Sequence, residues 1–257
     1  MLTRPTTLLT HLLSTVERTP VTLDPFPHVE FDGLLPADVY AALISILPRS
    51  DQYRGFRILR DQKEGRMTRY KFDLLPEYFA HFPRPQRALM RDVSASLRSY
   101  ELAAALKGKF YSVLEKRFEQ PVERIKVLPV PSLMRDYSGL AYDAHTDTFS
   151  KVMTCQIYLP PDLAQVALGT HFHVTKDDGS PGDPVKVVPF APNHGYAFPV
   201  HARSYHSVPT LPDLDRPRDS LLLIFYNTTR LTRRMFYAGK RISSAAAHVV
   251  HFRRDRD

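Results

Sequence analysis

The spacing of apolar residues changes character at about Val122. Before it, "TTLLTHLLSTV" and "LPADVYAALISIL" carry apolar residues at helical intervals, which predicts amphipathic helices. The stretch "PRPQRALMRDVSASLRSYELAAALKGKFYSVLEKRFEQ" predicts one or two long helices ending before Pro121. Between them, "YRGFRILR" and "MTRYKFDLL" alternate as strands do. After Val122 come short alternating runs, among them "RIKVLPV", "SLMRDY", "KVMTCQIYLP", "GTHFHV", "VKVVPF", "GYAFPV", "YHSVPT" and "SLLLIFYNT", divided by Pro, Gly, Asp and Asn. Short strands with such turn signals predict a β-sandwich or barrel. The expected fold class is α+β, mainly β. A mainly helical part over residues 1–121 packs on a jelly roll over 122–235, and a basic tail covers 236–257, all as one domain.

Strand parity shows which faces are fit for chemistry. In "KVMTCQIYL", Met153, Cys155, Ile157 and Leu159 share one face, suited to packing against helices. Val152, Thr154, Gln156 and Tyr158 share the other, which is either solvated or the lining of a barrel cavity. Arg218, Ser220, Leu222, Ile224 and Tyr226 share a face of a strand apolar enough to be buried on both sides. An arginine leading into such a strand needs an anionic partner, a structural carboxylate or a bound ligand.

Composition narrows the classes. The 257 residues are 43% hydrophobic and 24% charged, which suits a packed domain and not a disordered chain. A single cysteine, Cys155, excludes a disulfide framework and argues against a Cys-based zinc site. There is no signal-peptide-like apolar centre and no run of about 18 apolar residues, so a soluble cytoplasmic protein with no membrane partner is expected. Of the net charge of +8, the stretch from Arg230 to Asp257 carries +6. That reads as a solvated terminus. A nucleic-acid-binding face would spread its cations and interleave aromatics.

The segment "YDAHTD" follows the glycine-bearing turn "YSGLAY". His145 and Asp147 project to the same side if the segment is extended. With one further histidine on a neighbouring strand they would form a two-His, one-carboxylate set, which leaves positions open on ferrous iron as in non-heme oxygenases. His171, His173, His194, His201 and His206 are all candidates for that histidine.

The order of features from Ser132 to Asn227 resembles the Fe(II)/2-oxoglutarate-dependent oxygenase superfamily, with wording similar to its prolyl-hydroxylase-like branch. "GLAYDAHTD" has the Gly-x-x-Tyr-x-x-His-x-Asp pattern of that branch, and "TCQIYLPPD" looks like its Thr-Cys-x-x-Tyr-Leu strand. "GYAFPVHARSYHSVP" looks like its distal-histidine strand, and "RPRDSLLLIFY" like its Arg-x-Ser strand. The resemblance implies a double-stranded β-helix with Fe(II) held by His145, Asp147 and His206. It implies 2-oxoglutarate held by Arg218, Tyr158 and Ser220, with O2 as oxidant. The implied reaction oxidises, most simply hydroxylates, a C–H bond of a small metabolite or amino-acid-like substrate, with formation of succinate and carbon dioxide. A protein or peptide hydroxylase of the same superfamily is the alternative. Tyr142, Arg135 and His171 are expected near the substrate.

Departures accompany the match. Gly169-Thr170 stands where the branch has Gly-Gly, and a long Pro-rich gap from His206 to Arg218 leaves Arg216 as a rival to Arg218. The superfamily's nucleic-acid demethylases carry a second arginine six residues after the first; here that position is Ile224, which counts against a nucleic-acid partner. "GTHFHVTKD" resembles half of a cupin metal site, in which His171, His173 and Asp177 would bind metal without 2-oxoglutarate. "GRMTRYKF" reads as a solvated basic strand, with a lid carrying Arg66 or Arg69 as the alternative.

Overall fold

A computed structural model describes residues 5–55, 62–63, 66–80, 82–228, 235–236 and 238–239. The basic tail from residue 240 onward and the side chain of Arg66 lie outside them.

Among the described residues the named helices are α1 (Pro5–Arg18), α2 (Ala37–Ser45), α3 (Pro76–Phe79), α4 (Arg84–Leu97), α5 (Tyr100–Lys109) and α6 (Tyr111–Phe118). Leu8, Leu12 and Val16, one turn apart on α1, are all buried, as their spacing predicts. The long segment expected as one or two helices is three. Ser99 interrupts it by accepting the Leu102 N–H at 3.1 Å, the local bond that makes serine a good helix start.

The strands are β1 (Val29–Asp32), β2 (Arg54–Gly55), β3 (Gln62–Lys63), β4 (Arg66–Met67), β5 (Arg69–Asp73), β6 (Val127–Asp136), β7 (Tyr142–His145), β8 (Lys151–Tyr158), β9 (Thr170–Thr175), β10 (Pro181–Val188), β11 (His194–Pro199), β12 (His206–Val208) and β13 (Arg218–Asn227). A seven-stranded sheet runs β1-β11-β8-β13-β6-β5-β2, a four-stranded sheet runs β10-β9-β12-β7, and β3 pairs with β4. The eight strands from β6 to β13 thus divide four and four between the two larger sheets, antiparallel throughout. This is a double-stranded β-helix. The N-terminal part adds β1 at one edge of the large sheet and β5 and β2 at the other.

The parity argument holds. Met153, Cys155, Ile157 and Leu159 pack in one apolar cluster with Leu8, Met90 and Leu106 of the helices. A second cluster, with Tyr158, Phe172, Phe190, Tyr196 and Phe198, fills the space between the two larger sheets. The runs "RIKVLPV" and "SLMRDY" form one strand, β6, despite Pro129 and Pro131. On β6, β5 reaches only Ser132–Asp136, so both prolines sit where β6 has a strand on one side alone, as a missing N–H requires.

Two glycines answer specific demands. Gly139 takes a positive φ of 83° in the turn before β7, a conformation costly for other residues. Gly169 lies against β10 so closely that an added Cβ would stand 2.0 Å from the Val188 carbonyl oxygen. Gly169→Ala must push the two strands apart, and a loss of about 1–3 kcal/mol is expected from urea denaturation of the variant.

Candidate metal centre

β12 lies between β9 and β7 in the small sheet, and its register sets His206 opposite His145. Their rings stand 4.4 Å apart. Asp147 follows β7 by two residues and is drawn inward by the large sheet: its Oδ2 accepts from Thr154 Oγ1 at 2.5 Å, and its Oδ1 meets Lys151 Nζ. One ligand atom from each of His145, Asp147 and His206 lies within 4.8 Å of the others, and among the described residues this is the single such group of three.

The tautomers follow from the hydrogen bonds. His145 Nδ1 donates to the Asp143 carbonyl at 2.8 Å, and His206 Nδ1 donates to the Ser204 carbonyl at 3.0 Å. A carbonyl oxygen only accepts, so each Nδ1 carries the proton and each Nε2 presents its lone pair. Such outer bonds also fix the plane of a ligating ring. Burial, with His145 nearby, brings the His206 pKa down to about 4, so the ring is neutral at pH 7. Burial pushes the Asp147 carboxyl upward, but His206, Lys151 and the Thr154 hydroxyl outweigh it and hold the group below its ordinary value. Two imidazole nitrogens and one carboxylate form a donor set suited to a divalent first-row metal.

The centre opens on a cavity of about 370 Å³, within the usual size for a small-molecule site. Beside the triad its wall includes Arg69, Lys71, Tyr142, Lys151, Gln156 and Tyr196. Tyr142 is adjacent to His145 and beneath the Arg69 guanidinium, which lies 4.5 Å from the ring centre.

The expected cosubstrate residues lie one layer behind that wall. Tyr158 is buried, and its hydroxyl donates to Thr170 Oγ1 at 2.7 Å while accepting the Thr170 N–H at 3.0 Å. Ser220 is buried and accepts from Gln156 Nε2 at 2.9 Å, and Gln156 Oε1 accepts from Tyr196 at 2.6 Å. Thr170, Gln156 and Tyr196 are the side chains that reach the cavity. Arg218 is fully buried, donating from Nε to the Leu168 carbonyl at 2.7 Å and from Nη1 to Asp136 at 2.9 Å. Its Nη2 is buried without a hydrogen-bond partner. The rival Arg216 is outside, paired with Asp162 at 2.8 Å.

Other expectations are corrected. Arg135 is not at the cavity; on the opposite face of β6 it forms a two-pronged pair with Asp219 at 2.8 and 2.9 Å and stacks over Tyr53. Adjacent strand residues point to opposite faces, so Arg135 cannot share the side of Met134 and Asp136. His171 does not line the cavity. The cupin-like set is not assembled. His173 spends both nitrogens on hydrogen bonds, Nδ1 to the Gly182 carbonyl at 2.9 Å and Nε2 to Ser207 at 2.7 Å, and His171, His173 and Asp177 form no metal-sized group. Missing from the sequence reading were Lys71, Lys151, Thr170 and Tyr196. Parity on "RYKF" would have put Lys71 beside Arg69.

No protein-family model and no curated protein matches the sequence. Solved structures do match. A prolyl-4-hydroxylase of Pseudomonas putida is 15% identical with a TM-score of 0.50, over 86% of this chain and 100% of that one. A prolyl hydroxylase of Trichoplax adhaerens, in complex with a hypoxia inducible factor oxygen degradation domain peptide fragment, is 12% identical with a TM-score of 0.48, over 88% and 91%. The non-heme alpha ketoglutarate dependent epimerase SnoN from nogalamycin biosynthesis is 15% identical with a TM-score of 0.48, over 86% and 84%. At such identities the likeness to the Pseudomonas enzyme speaks for a common fold, the one that the motifs implied. Among the described residues no helix is long and apolar enough to cross a membrane.

Two outcomes test the centre. Asp147→Ala and His206→Ala should each weaken Co(II) binding, read by calorimetry, by more than the ~10–100-fold typical of outer-shell changes, whereas His171→Ala should leave it unchanged. His206 and His201 both have pKa values brought down to about 4, chiefly by burial. Each binds a proton more readily when unfolded, so their stabilisation is complete above about pH 6.5 and is lost as the pH falls towards 4. The melting temperature of metal-free protein should drop across that window.

Proposed function

We propose that this protein is an Fe(II)/2-oxoglutarate-dependent oxygenase that oxidises, most simply hydroxylates, a C–H bond of a small molecule. The observation that carries this reading is the convergence of His145, Asp147 and His206, with ligand atoms within 4.8 Å of one another, on the wall of a cavity inside a double-stranded β-helix. When bound, Fe(II) with 2-oxoglutarate supplies the oxidation of R–H and 2-oxoglutarate by O2 to R–OH, succinate and carbon dioxide.

The residues fit that pair of groups. The Nε2 atoms of His145 and His206 and the Asp147 carboxylate would hold the metal. Arg218, paired with Asp136 and lying against the Tyr158 and Phe190 rings, places a fixed positive charge at its end of the β-helix. The far carboxylate of the cosubstrate would meet Thr170, Gln156 and Tyr196, with Arg218 supplying positive charge from behind. Tyr158 and Ser220, expected to touch the cosubstrate, then act as positioning residues: Tyr158 holds the Thr170 hydroxyl and Ser220 holds the Gln156 amide. Burial pushes the Tyr196 hydroxyl well above its ordinary pKa, so it stays protonated and keeps its bond to Gln156 Oε1. Phe172, Phe190 and Phe198, all fully buried, exclude water from this region.

Anaerobic addition of Fe(II) and 2-oxoglutarate should produce a weak visible charge-transfer band that Asp147→Ala removes. Admission of O2 should then release succinate. A folded protein that shows neither the band nor succinate refutes the reading. A screen of succinate release against metabolites and peptides separates a small-molecule oxygenase from a peptide hydroxylase.

A further inference from the structure

β13 carries one wall of the cavity from the end where the cosubstrate would lie to a point beyond the metal ligands. Ser220, Leu222, Ile224 and Tyr226 alternate onto one face of it. Register marks the positions along that face. Ser220 lies opposite Tyr158, Leu222 opposite Gln156, Ile224 opposite Thr154 and Tyr226 opposite Lys151. Thr154 and Lys151 are the residues that hold the Asp147 carboxylate. Tyr226 therefore stands at the level of the metal's carboxylate, about 20 Å along the strand from Ser220.

Leu222, Ile224 and Tyr226 all line the cavity, beside Val130 and Met134 of β6. This wall is apolar up to the tyrosine hydroxyl. The polar groups around it are engaged within the protein. The Thr154, Thr170 and Tyr196 hydroxyls bond to Asp147, Tyr158 and Gln156. Each cation on the wall faces a carboxylate: Lys151 faces Asp147, Lys71 faces Asp73 and Arg69 faces Asp136. The Tyr226 hydroxyl differs, with no hydrogen-bond partner among the described residues. Burial, followed by the Asp147 and Asp73 carboxylates, pushes its pKa up, so the group keeps its proton and can donate it. A ligand that covers this donor without accepting from it bears the cost of an unmet hydroxyl. A single neutral donor at the end of an apolar wall selects a hydrocarbon body that carries an uncharged acceptor oxygen.

We propose that Tyr226 is a specificity-determining residue of this site: its hydroxyl donates to a carbonyl or hydroxyl oxygen of the substrate, whose hydrocarbon part lies along Leu222 and Ile224 beside the metal. This rests on the oxygenase reading and names the substrate class, an apolar-bodied molecule with a neutral oxygen acceptor.

The test is calorimetric titration of protein loaded with Co(II) and N-oxalylglycine, so that the cosubstrate's place is filled. The probes are acetophenone, 1-phenylethanol and α-methylstyrene, a hydrocarbon of the same shape as acetophenone. Wild type and Tyr226→Phe are compared, which cancels the difference in hydrophobicity between probes. Tyr226→Phe should weaken acetophenone or 1-phenylethanol by about 3–10-fold, the scale of one neutral hydrogen bond, and α-methylstyrene by less than about twofold. A loss for acetophenone indicates a carbonyl acceptor and one for 1-phenylethanol a hydroxyl; each supports the proposal. The substitution removes a hydroxyl that has no partner to lose, so folding is spared, and a melting curve checks this. If that variant does not fold, Tyr226→Met takes its place and is read in the same way. Equal weakening of all three probes overturns the proposal, as does unchanged binding of all three or the absence of binding to the loaded wild type. The same titrations without Co(II) and N-oxalylglycine separate the two readings. Failure to load, with Tyr226-dependent discrimination retained, refutes only the oxygenase; loading without discrimination refutes only the role of Tyr226.

Discussion

A carboxylate shut away from water has to be surrounded by cations, and Asp136 meets that condition by holding Arg69 and Arg218 together. The three residues face one another across adjacent strands, Arg69 opposite Asp136 and Asp136 opposite Arg218. Removing the aspartate would take a hydrogen-bonded carboxylate from both guanidinium groups at once; removing one arginine would still leave the carboxylate a partner. Asp136 therefore ties β5, outside the β-helix, to β13, inside it. The arginine at the closed end and the arginine on the cavity wall are consequences of one buried negative charge.

The metal centre depends on a division of labour between the sheets. The small sheet aligns the two histidines by strand register and fixes their tautomers through backbone carbonyls. The large sheet supplies the groups that hold the carboxylate, Thr154 and Lys151. All three ligands come from the small sheet and the segment just after β7, but the carboxylate is held only where the large sheet packs against them. The aromatic cluster between them, with Phe172 from one sheet and Tyr196 and Phe198 from the other, enforces that packing. Stability and ligand geometry are then properties of the same interface.

Much of this was legible in the sequence because period-two alternation decides which side chains share a face. The face with Thr154 and Gln156 and the face with Leu222, Ile224 and Tyr226 do line the cavity. The triad was legible once a motif order selected His206 among five histidines. What escaped were relations between distant strands. Nothing local in "SLMRDY" says that Asp136 will meet Arg218 eighty-two residues later. Nothing in "GTHFHV" says that Thr170 will stand in front of Tyr158. The error at Arg135 is of another kind. The residue adjoins Asp136, and alternation alone was enough to send it to the opposite face.

The departure at Gly169-Thr170 acquires a physical sense in this setting. Gly169 is required by its approach to the Val188 carbonyl, so that half of the usual Gly-Gly pair is a packing constraint. The second half is free to carry a side chain, and threonine there intercepts the Tyr158 hydroxyl and presents its own polar group to the cavity. Thr170 thus stands between Tyr158 and the cavity. Tyr196 and Gln156 complete the new polar surface through Ser220. The polar groups that reach the cavity thus stand one side chain in front of Tyr158 and Ser220, and Asp136 holds Arg218 behind them.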